Sequence, residues 1–370
     1  MKKLLYLFIP ILLTSCGSSS DNQQPINNDE FDRSAILINS YDNIIVPAYN
    51  LLSNNLSEMD TYTEAFINNV NQQNLTDLRS SWRKTYESWQ AVEMFDLKKA
   101  EQINYSRVSN SYPCIENRII ENINDSITEI TSFTSSMLGA TGFPAIGYMI
   151  YGPDSSNIIS LFSGSEGSNY KAYLKALVNN LVYNTREVSD DWNNTRSNFI
   201  SSTSNTQTSS LNIIVNDFVR YFEKKVRTAK IGNPIDYFGA FQIRPDQVES
   251  YYKSDLCKSL VSEAMLSVKR FYTGESFDGT NNGIGLEDYL LYLGNSDNLI
   301  SAINDQFNDI DNKISLLEED FVLELNTVGK DQMMDVFLSM QTLVTTFKID
   351  MMSDRFGISP DYADNDGDGG

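Results

Sequence analysis

Leu75-Thr-Asp-Leu78-Arg-Ser-Ser-Trp82-Arg-Lys-Thr-Tyr86-Glu-Ser-Trp89-Gln-Ala-Val92-Glu-Met-Phe95 decides the fold class. Its apolar residues return at steps of three and four, the period that lines one face of an α-helix. The same spacing recurs along the chain. Ile36, Tyr41, Ile44, Ile45, Ala48, Leu51 and Leu52 form one stripe, and further stripes cover Tyr170 to Trp192, Leu211 to Val226, Leu256 to Tyr272, Leu299 to Leu325 and Met333 to Met352. No alternation of apolar and polar residues runs long enough to predict a sheet. Most of these aromatic stripes are expected to be core.

The organisation follows from what interrupts the stripes. Ser201 to Ser210 is Ser-Ser-Thr-Ser-Asn-Thr-Gln-Thr-Ser-Ser, a linker with nothing to bury. It divides the body into a bundle over 31–200 and another over 211–358, with an acidic tail at 359–370. Each half holds four or so long helices, so the expected fold is all-α: two tandem four-helix-bundle-like domains. Gly142-Phe-Pro-Ala-Ile-Gly-Tyr-Met-Ile-Tyr-Gly152 overlays Gly283-Ile-Gly-Leu-Glu-Asp-Tyr-Leu-Leu-Tyr-Leu-Gly294. Gly142 then falls on Gly283, Pro144 on Gly285, Gly147 on Asp288, Tyr148 on Tyr289 and Tyr151 on Tyr292, which predicts an internal duplication.

Composition removes whole classes of chemistry. None of the 370 residues is histidine, so there is no Ser-His-Asp or Cys-His nucleophile system and no H-E-x-x-H zinc site. A metal would have to take carboxylates, tyrosines, carbonyls or one of three cysteines.

The N-terminus predicts a location. Met1-Lys2-Lys3 precedes an apolar run from Leu4 to Leu13, too short to span a bilayer and suited to a signal peptide over 1–15. Leu13-Thr14-Ser15-Cys16 resembles a bacterial lipoprotein box, with Cys16 the lipidated residue and 16–30 a flexible polar tether. The expected place is the bacterial cell envelope, as an outer-membrane lipoprotein facing the periplasm or the surface. Loss of Lys2 and Lys3 takes the formal charge from −21 to about −23, which disfavours nucleic acid as a partner. Cys114 and Cys257 either pair in an oxidising compartment or remain buried thiols.

A set of separated motifs then resembles the imelysin family, which includes iron-regulated proteins and imelysin-type peptidases. Trp82, Glu93 and Phe95 match its tryptophan-led helix. Asn110-Ser-Tyr-Pro113, Lys230-Ile-Gly-Asn-Pro234, Val248-Glu249 with Asp255, Gly283-Ile-Gly-Leu-Glu-Asp288, Asp350-Met351 and Asp364-Asn-Asp-Gly-Asp368 follow in the family's order. The family signature Gly-x-His-x-x-Glu falls on Gly142, Pro144 and Gly147, so both of its functional side chains are lost. The arginine expected after the tryptophan is Tyr86, and a Trp-Pro pair is Tyr112-Pro113. Catalytic zinc usually takes three protein ligands, and here even the motif's two are missing. Pro144 suits a first helical turn. Gly147 inside that turn points to close approach by another helix or a ligand.

By the resemblance, a cleft between the bundles collects Glu93, Asn110, Tyr112, Lys230, Asn233, Gly283, Gly285, Glu287 and Asp288. Asp288 takes the repeat position of the family glutamate and is a candidate metal ligand; its alternative is a carboxylate serving the helix terminus. Asp364, Asp366 and Asp368 match the opening of a calcium loop or form an acidic tail. The expected function is a non-catalytic binding protein for a metal, chelate or partner linked to iron uptake. The cofactor, if any, is iron or calcium, and the partner an outer-membrane transporter or another envelope protein. The alternatives are a metallopeptidase with a relocated carboxylate site and a glycan- or protein-binding surface lipoprotein.

Overall fold

A computed structural model describes residues 30–130, 137–152 and 157–362. The signal segment, Cys16 and the carboxylates Asp364, Asp366 and Asp368 lie outside these residues. Every regular element described is helical, with one isolated bridge between Glu275 and Asn282.

Helix α1 (Arg33–Asn39) runs through a π-helical stretch (Ser40–Ile45) into α2 (Val46–Asn68), and α3 (Gln72–Trp89) returns antiparallel. Asn71 caps α3 by accepting from the Asn74 amide at 2.9 Å. Its predicted stripe is buried from Leu75 to Trp89. The helix ends there and not at Phe95. Val92 and Phe95 still reach the core, but the chain from Gln90 to Phe95 turns tightly, with Gln90 and Glu93 buried. Short helices α4 (Lys99–Gln102), α5 (Tyr105–Ser109) and α6 (Glu116–Asn124) lead to α7 (Gly142–Tyr151), α8 (Ile158–Ser163) and the long α9 (Gly167–Ser201). Helices α2, α3, α7 and α9 pack on one another as the first bundle.

The second bundle opens with α10 (Ser210–Arg220), which continues as a π-helix over Tyr221–Gly232. Then come α11 (Cys257–Thr273), α12 (Leu286–Leu293), α13 (Asp297–Leu316), α14 (Phe321–Thr327) and α15 (Asp331–Thr345), extended as a π-helix over Thr346–Arg355. The α10 extension, α11, α13 and α15 form its four-helix core. The stripe from Leu299 to Leu325 is two helices, because Asp320 caps α14 through the Leu323 amide at 3.0 Å and Glu324 accepts from the Glu318 amide at 2.9 Å.

One hydrophobic cluster runs through both bundles, from Ile36 to Ile358. The predicted linker is not a slack tether. Ser209 and Ser210 are buried, the Ser210 amide donates to Ser202 at 3.2 Å, and Arg33 reaches the Thr203 carbonyl.

The first helix clasps the second bundle. Asn39 donates to the carbonyls of Gly274 at 2.8 Å and Ile284 at 3.1 Å. A Cβ on Gly283 would lie 2.0 Å from Asn39 Oδ1, so only glycine fits there. Arg33 donates to the Tyr289 hydroxyl at 2.9 Å, and Phe31 stacks on the Tyr289 ring at 4.6 Å. Replacing Asn39 by alanine removes both bonds: the Gly274 carbonyl keeps the Gly283 amide at 2.9 Å, while the Ile284 carbonyl loses its side-chain donor. Urea denaturation of Asn39→Ala should show a loss of about 2–3 kcal/mol, and Gly283→Ala a loss of similar size; unchanged midpoints would mean the clasp contributes nothing.

Candidate functional site

The signature positions sit at the start of α7. Gly142 has φ +75°, and a Cβ there would lie 2.0 Å from the Ser109 carbonyl. Pro144 occupies the first turn, where its missing N–H costs little. Gly147 faces the Trp82 indole, 3.0 Å from where its Cβ would be. The predicted close approach is therefore by a neighbouring helix's side chain. Trp82 Nε1 donates to the Phe143 carbonyl at 3.2 Å, and the Tyr86 ring stacks on Phe143 at 4.6 Å and 7°. The remaining recess between Trp82, Tyr112, Pro144, Gly147 and Glu249 holds about 10 Å³, roughly one water.

Behind this aromatic wall lies a buried polar network joining the bundles. Lys230, on the second bundle's π-helix, contacts Glu249 Oε2 at 2.5 Å and Gln90 Oε1 at 2.7 Å. Glu249 Oε1 accepts from Gln90 at 3.0 Å and from Asn110 at 2.8 Å. Tyr86 donates to Asn110 Oδ1 at 2.6 Å, and Asn110 reaches Glu93 at 3.3 Å. Lys230, Glu249, Glu93, Asn110 and Gln90 are each at most 4% exposed. Burial raises the Glu93 carboxyl above its usual range, while Lys225 and Lys230 pull it back. Glu93 Oε2 and the Tyr221 hydroxyl are buried without a protein hydrogen-bond partner. Burial pushes the Tyr86 phenol well above its ordinary value, so it acts as a neutral donor.

The predicted cleft is thus split: four of its residues gather at one place, four lie at another, and one stands apart from both. Glu93, Asn110 and Lys230 meet, and Tyr112 borders them. Asn233 is exposed, just past the π-helix, so it does not enter the network. Gly283, Gly285, Glu287 and Asp288 belong instead to the clasp region at α1. Asp288 accepts from the Gly285 amide at 2.8 Å, so its carboxylate is engaged at the start of its own helix. Glu287 accepts from Asn304 at 2.7 Å. Helix α12 packs on α11, α13 and the 346–355 segment, whereas α7 packs on α3, α9 and 251–256, so the two glycine-led helices serve different surroundings. Among the described residues no three Cys, Asp or Glu side chains gather as a metal site, and the residues present do not fit a catalytic zinc.

The two body cysteines are free. Cys114 donates to the Tyr252 hydroxyl at 3.6 Å, and burial pushes its thiol up to about 11. Cys257 is buried and its thiol is also raised by burial, so neither is an activated nucleophile.

Sequence reasoning missed two central members. Glu249 stood within a quoted motif without a role, and Gln90 is a polar residue set inside an aromatic stripe, which is the signal that marks it. A second missed group is Asp217 on α10, 6% exposed and paired with Arg220. Burial is the main cause that lifts its carboxyl to about 7. Arg220 opposes that, and Asp96, Asp361 and Glu101 add to it.

Comparison with known proteins places these features. The imelysin family model, whose name classes it among peptidases, matches residues 45–345. A crystal structure described as an iron-regulated protein A precursor from Parabacteroides distasonis ATCC 8503 is similar, with TM-score 0.70 and 16% identity over 85% of this chain and 93% of that one. An imelysin-like protein from Psychrobacter arcticum 273-4 is similar with TM-score 0.70 and 14% identity, over 90% of this chain and 99% of that one. No curated protein matches.

Two measurements check the network. Lys230→Met leaves Glu249 buried without its cation and should cost roughly 3–5 kcal/mol in urea denaturation. Adding Glu249→Gln should recover much of that loss, and a double variant no better than the single would refute the pairing. For Asp217, the native carboxyl holds a proton that the unfolded chain releases near its ordinary value. Its contribution is full below the ordinary carboxylate range and fades as pH rises towards about 7. Stability should fall across that window, by up to roughly 1.4 kcal/mol per pH unit, and Asp217→Asn should flatten the slope.

Proposed function

This chain belongs to the imelysin family, and on that premise we propose that it is a non-catalytic binding protein of the bacterial cell envelope, tethered through lipid on Cys16. One observation carries the reading: the signature positions are Pro144 and Gly147, with Gly147 packed on Trp82 and a recess beside them that has room for about one water. A hydrolase needs a polarising ion or an activated nucleophile at such a place, and a proline and a glycine offer neither. The neighbouring carboxylate Glu249 is committed to Lys230, which argues against a relocated carboxylate centre.

Binding then falls to the mouth of the recess. Tyr112, Tyr251, Tyr252 and Lys253 line it, with Tyr251 42% exposed and the Tyr251 and Tyr252 rings 5.2 Å apart. Tyrosines combine an apolar face with a hydroxyl, and they are enriched where proteins hold partners. An iron chelate or an envelope partner protein, such as an outer-membrane transporter, fits this rim better than a bare ion does. The link to iron is drawn from the name of the Parabacteroides neighbour.

Calorimetric titration of the chain with Fe²⁺, Fe³⁺-citrate, Zn²⁺ and Ca²⁺, beside a casein-cleavage assay with and without chelator, tests this. The expected result is saturable heat with the citrate complex, reduced at least about tenfold by Tyr251→Ala (about 1.4 kcal/mol), and no cleavage. Chelator-sensitive cleavage would overturn the non-catalytic reading. Absence of heat with every iron form would remove the iron link and leave a protein partner.

A further inference from the structure

The loop that leaves the π-helix at Gly232 and ends at the short turn Pro245–Gln247 holds apolar side chains out to water. Residues 238–244, Phe-Gly-Ala-Phe-Gln-Ile-Arg, are exposed without a break, and Phe238, Phe241 and Ile243 are 40%, 45% and 42% exposed. Such runs are avoided on soluble proteins unless something covers them. From this surface we infer that the loop is a membrane-contact tip, which dips these three side chains into the interface of a zwitterionic bilayer. None of them lines the tyrosine-rimmed recess.

The loop is built to present them. Tyr237 stacks on the buried Phe337 ring at 3.8 Å, and Phe238 and Phe241 stand edge-on to Tyr237 at 5.1 and 5.7 Å, so one aromatic patch is rooted in the core. The backbone is pinned on both sides. The Ala240 amide donates to Asp236 Oδ2 and the Arg244 amide to the Pro234 carbonyl, each at 2.7 Å, and Lys330 donates to the Phe241 carbonyl at 2.9 Å. Phe241 is held at φ +56°, a left-handed conformation that is costly for a bulky residue and persists only where its surroundings impose it. Arg227 lies over the Phe238 ring at 5.6 Å and Lys330 over the Phe241 ring at 5.2 Å. Each phenylalanine is therefore braced on one side, and its exposed fraction is what it offers outward.

Size and place decide the occupant. Three side chains at this exposure offer roughly 250 Å², well short of the about 800 Å² that each partner gives a stable protein interface. A second copy of the chain or a folded partner would need more surface than the tip has. A bilayer needs no matching shape, and binding to it scales with the apolar area inserted. The membrane is also within reach, a point that rests on the lipid tether proposed above. Arg33 reaches Thr203, and Ser202 accepts from the Ser210 amide, so the N-terminal segment leaves the body beside the start of α10. From there the helix to Gly232 runs roughly 30 Å, whereas residues 17–30 span up to roughly 50 Å when extended. The exposed cation Arg244 is paired with Asp236 at 3.9 Å in a chain of formal charge −21, which disfavours an anionic surface and leaves a zwitterionic one.

Co-flotation of residues 16–370, carrying Cys16→Ser and therefore no lipid, with phosphatidylcholine–phosphatidylethanolamine vesicles tests this. The chain should float with the vesicles, and the combined variant Phe238→Ser, Phe241→Ser, Ile243→Ser should lower its partition coefficient at least about tenfold. Leu291→Ser, at an apolar residue of α12 that is 54% exposed, should stay within about twofold. In a separate variant, Phe241→Trp, the new indole should shift its emission to the blue on adding vesicles and be quenched by lipids brominated near the headgroup. All the replaced side chains are on the surface, and unchanged melting temperatures will show that the variants fold. No flotation of the parent chain, binding confined to anionic vesicles, or equal partition of the combined variant would each overturn the proposal. So would self-association without lipid that the combined variant abolishes, since the tip would then belong to a second copy. Because the assayed chain carries no lipid, failure strikes the tip alone and leaves both lipid on Cys16 and the iron-chelate titration unaffected.

Discussion

The contact between Lys230 and Glu249 constrains everything around it. Each charge is almost wholly removed from water, and isolating either one would cost several kcal/mol. The pair is tolerable only because Gln90 and Asn110 satisfy the remaining oxygens, and those two come from the first bundle while Lys230 comes from the second. The halves of the chain cannot separate at this point without breaking this hydrogen-bonded set. The apolar core is likewise continuous through both halves.

The aromatic wall in front of the network has a related logic. Where the family signature expects an arginine, Tyr86 brings a neutral hydroxyl and a ring that stacks on Phe143. Trp82 packs on Gly147 and, with Tyr86 and Phe143, closes the space around the start of α7. Positions 86, 144 and 147 thus belong to one packed environment in this chain.

Much of this was legible in the sequence. Helical period gave the class and nearly every long helix, because amphipathic stripes report burial directly. Helix ends were less readable: α3 stops at Trp89 because Gln90 and Glu93 are drawn into the network, a tertiary demand that local spacing does not encode. Glu93, Asn110 and Lys230 were found through their motifs. Asp288 looked equivalent to the lost glutamate because the repeat aligned it, yet the chain uses its carboxylate on its own helix end. Sequence places residues in order, and only packing decides which of two similar helices faces the junction. Ser201–Ser210 does join α9 to α10, and its docking is not encoded locally, since small polar residues suit a docked turn as well as a free one.

The clasp formed by Phe31, Arg33 and Asn39 also sets how the molecule meets mechanical load. Any tension arriving through the segment before Glu30 reaches Phe31 first, and Phe31 is stacked on Tyr289, which is itself stacked on Phe356 near the far end of the chain. A pull from the N-terminal side is thus delivered into both bundles together, as shear across stacked rings and three side-chain hydrogen bonds, and it does not peel the first helix away alone.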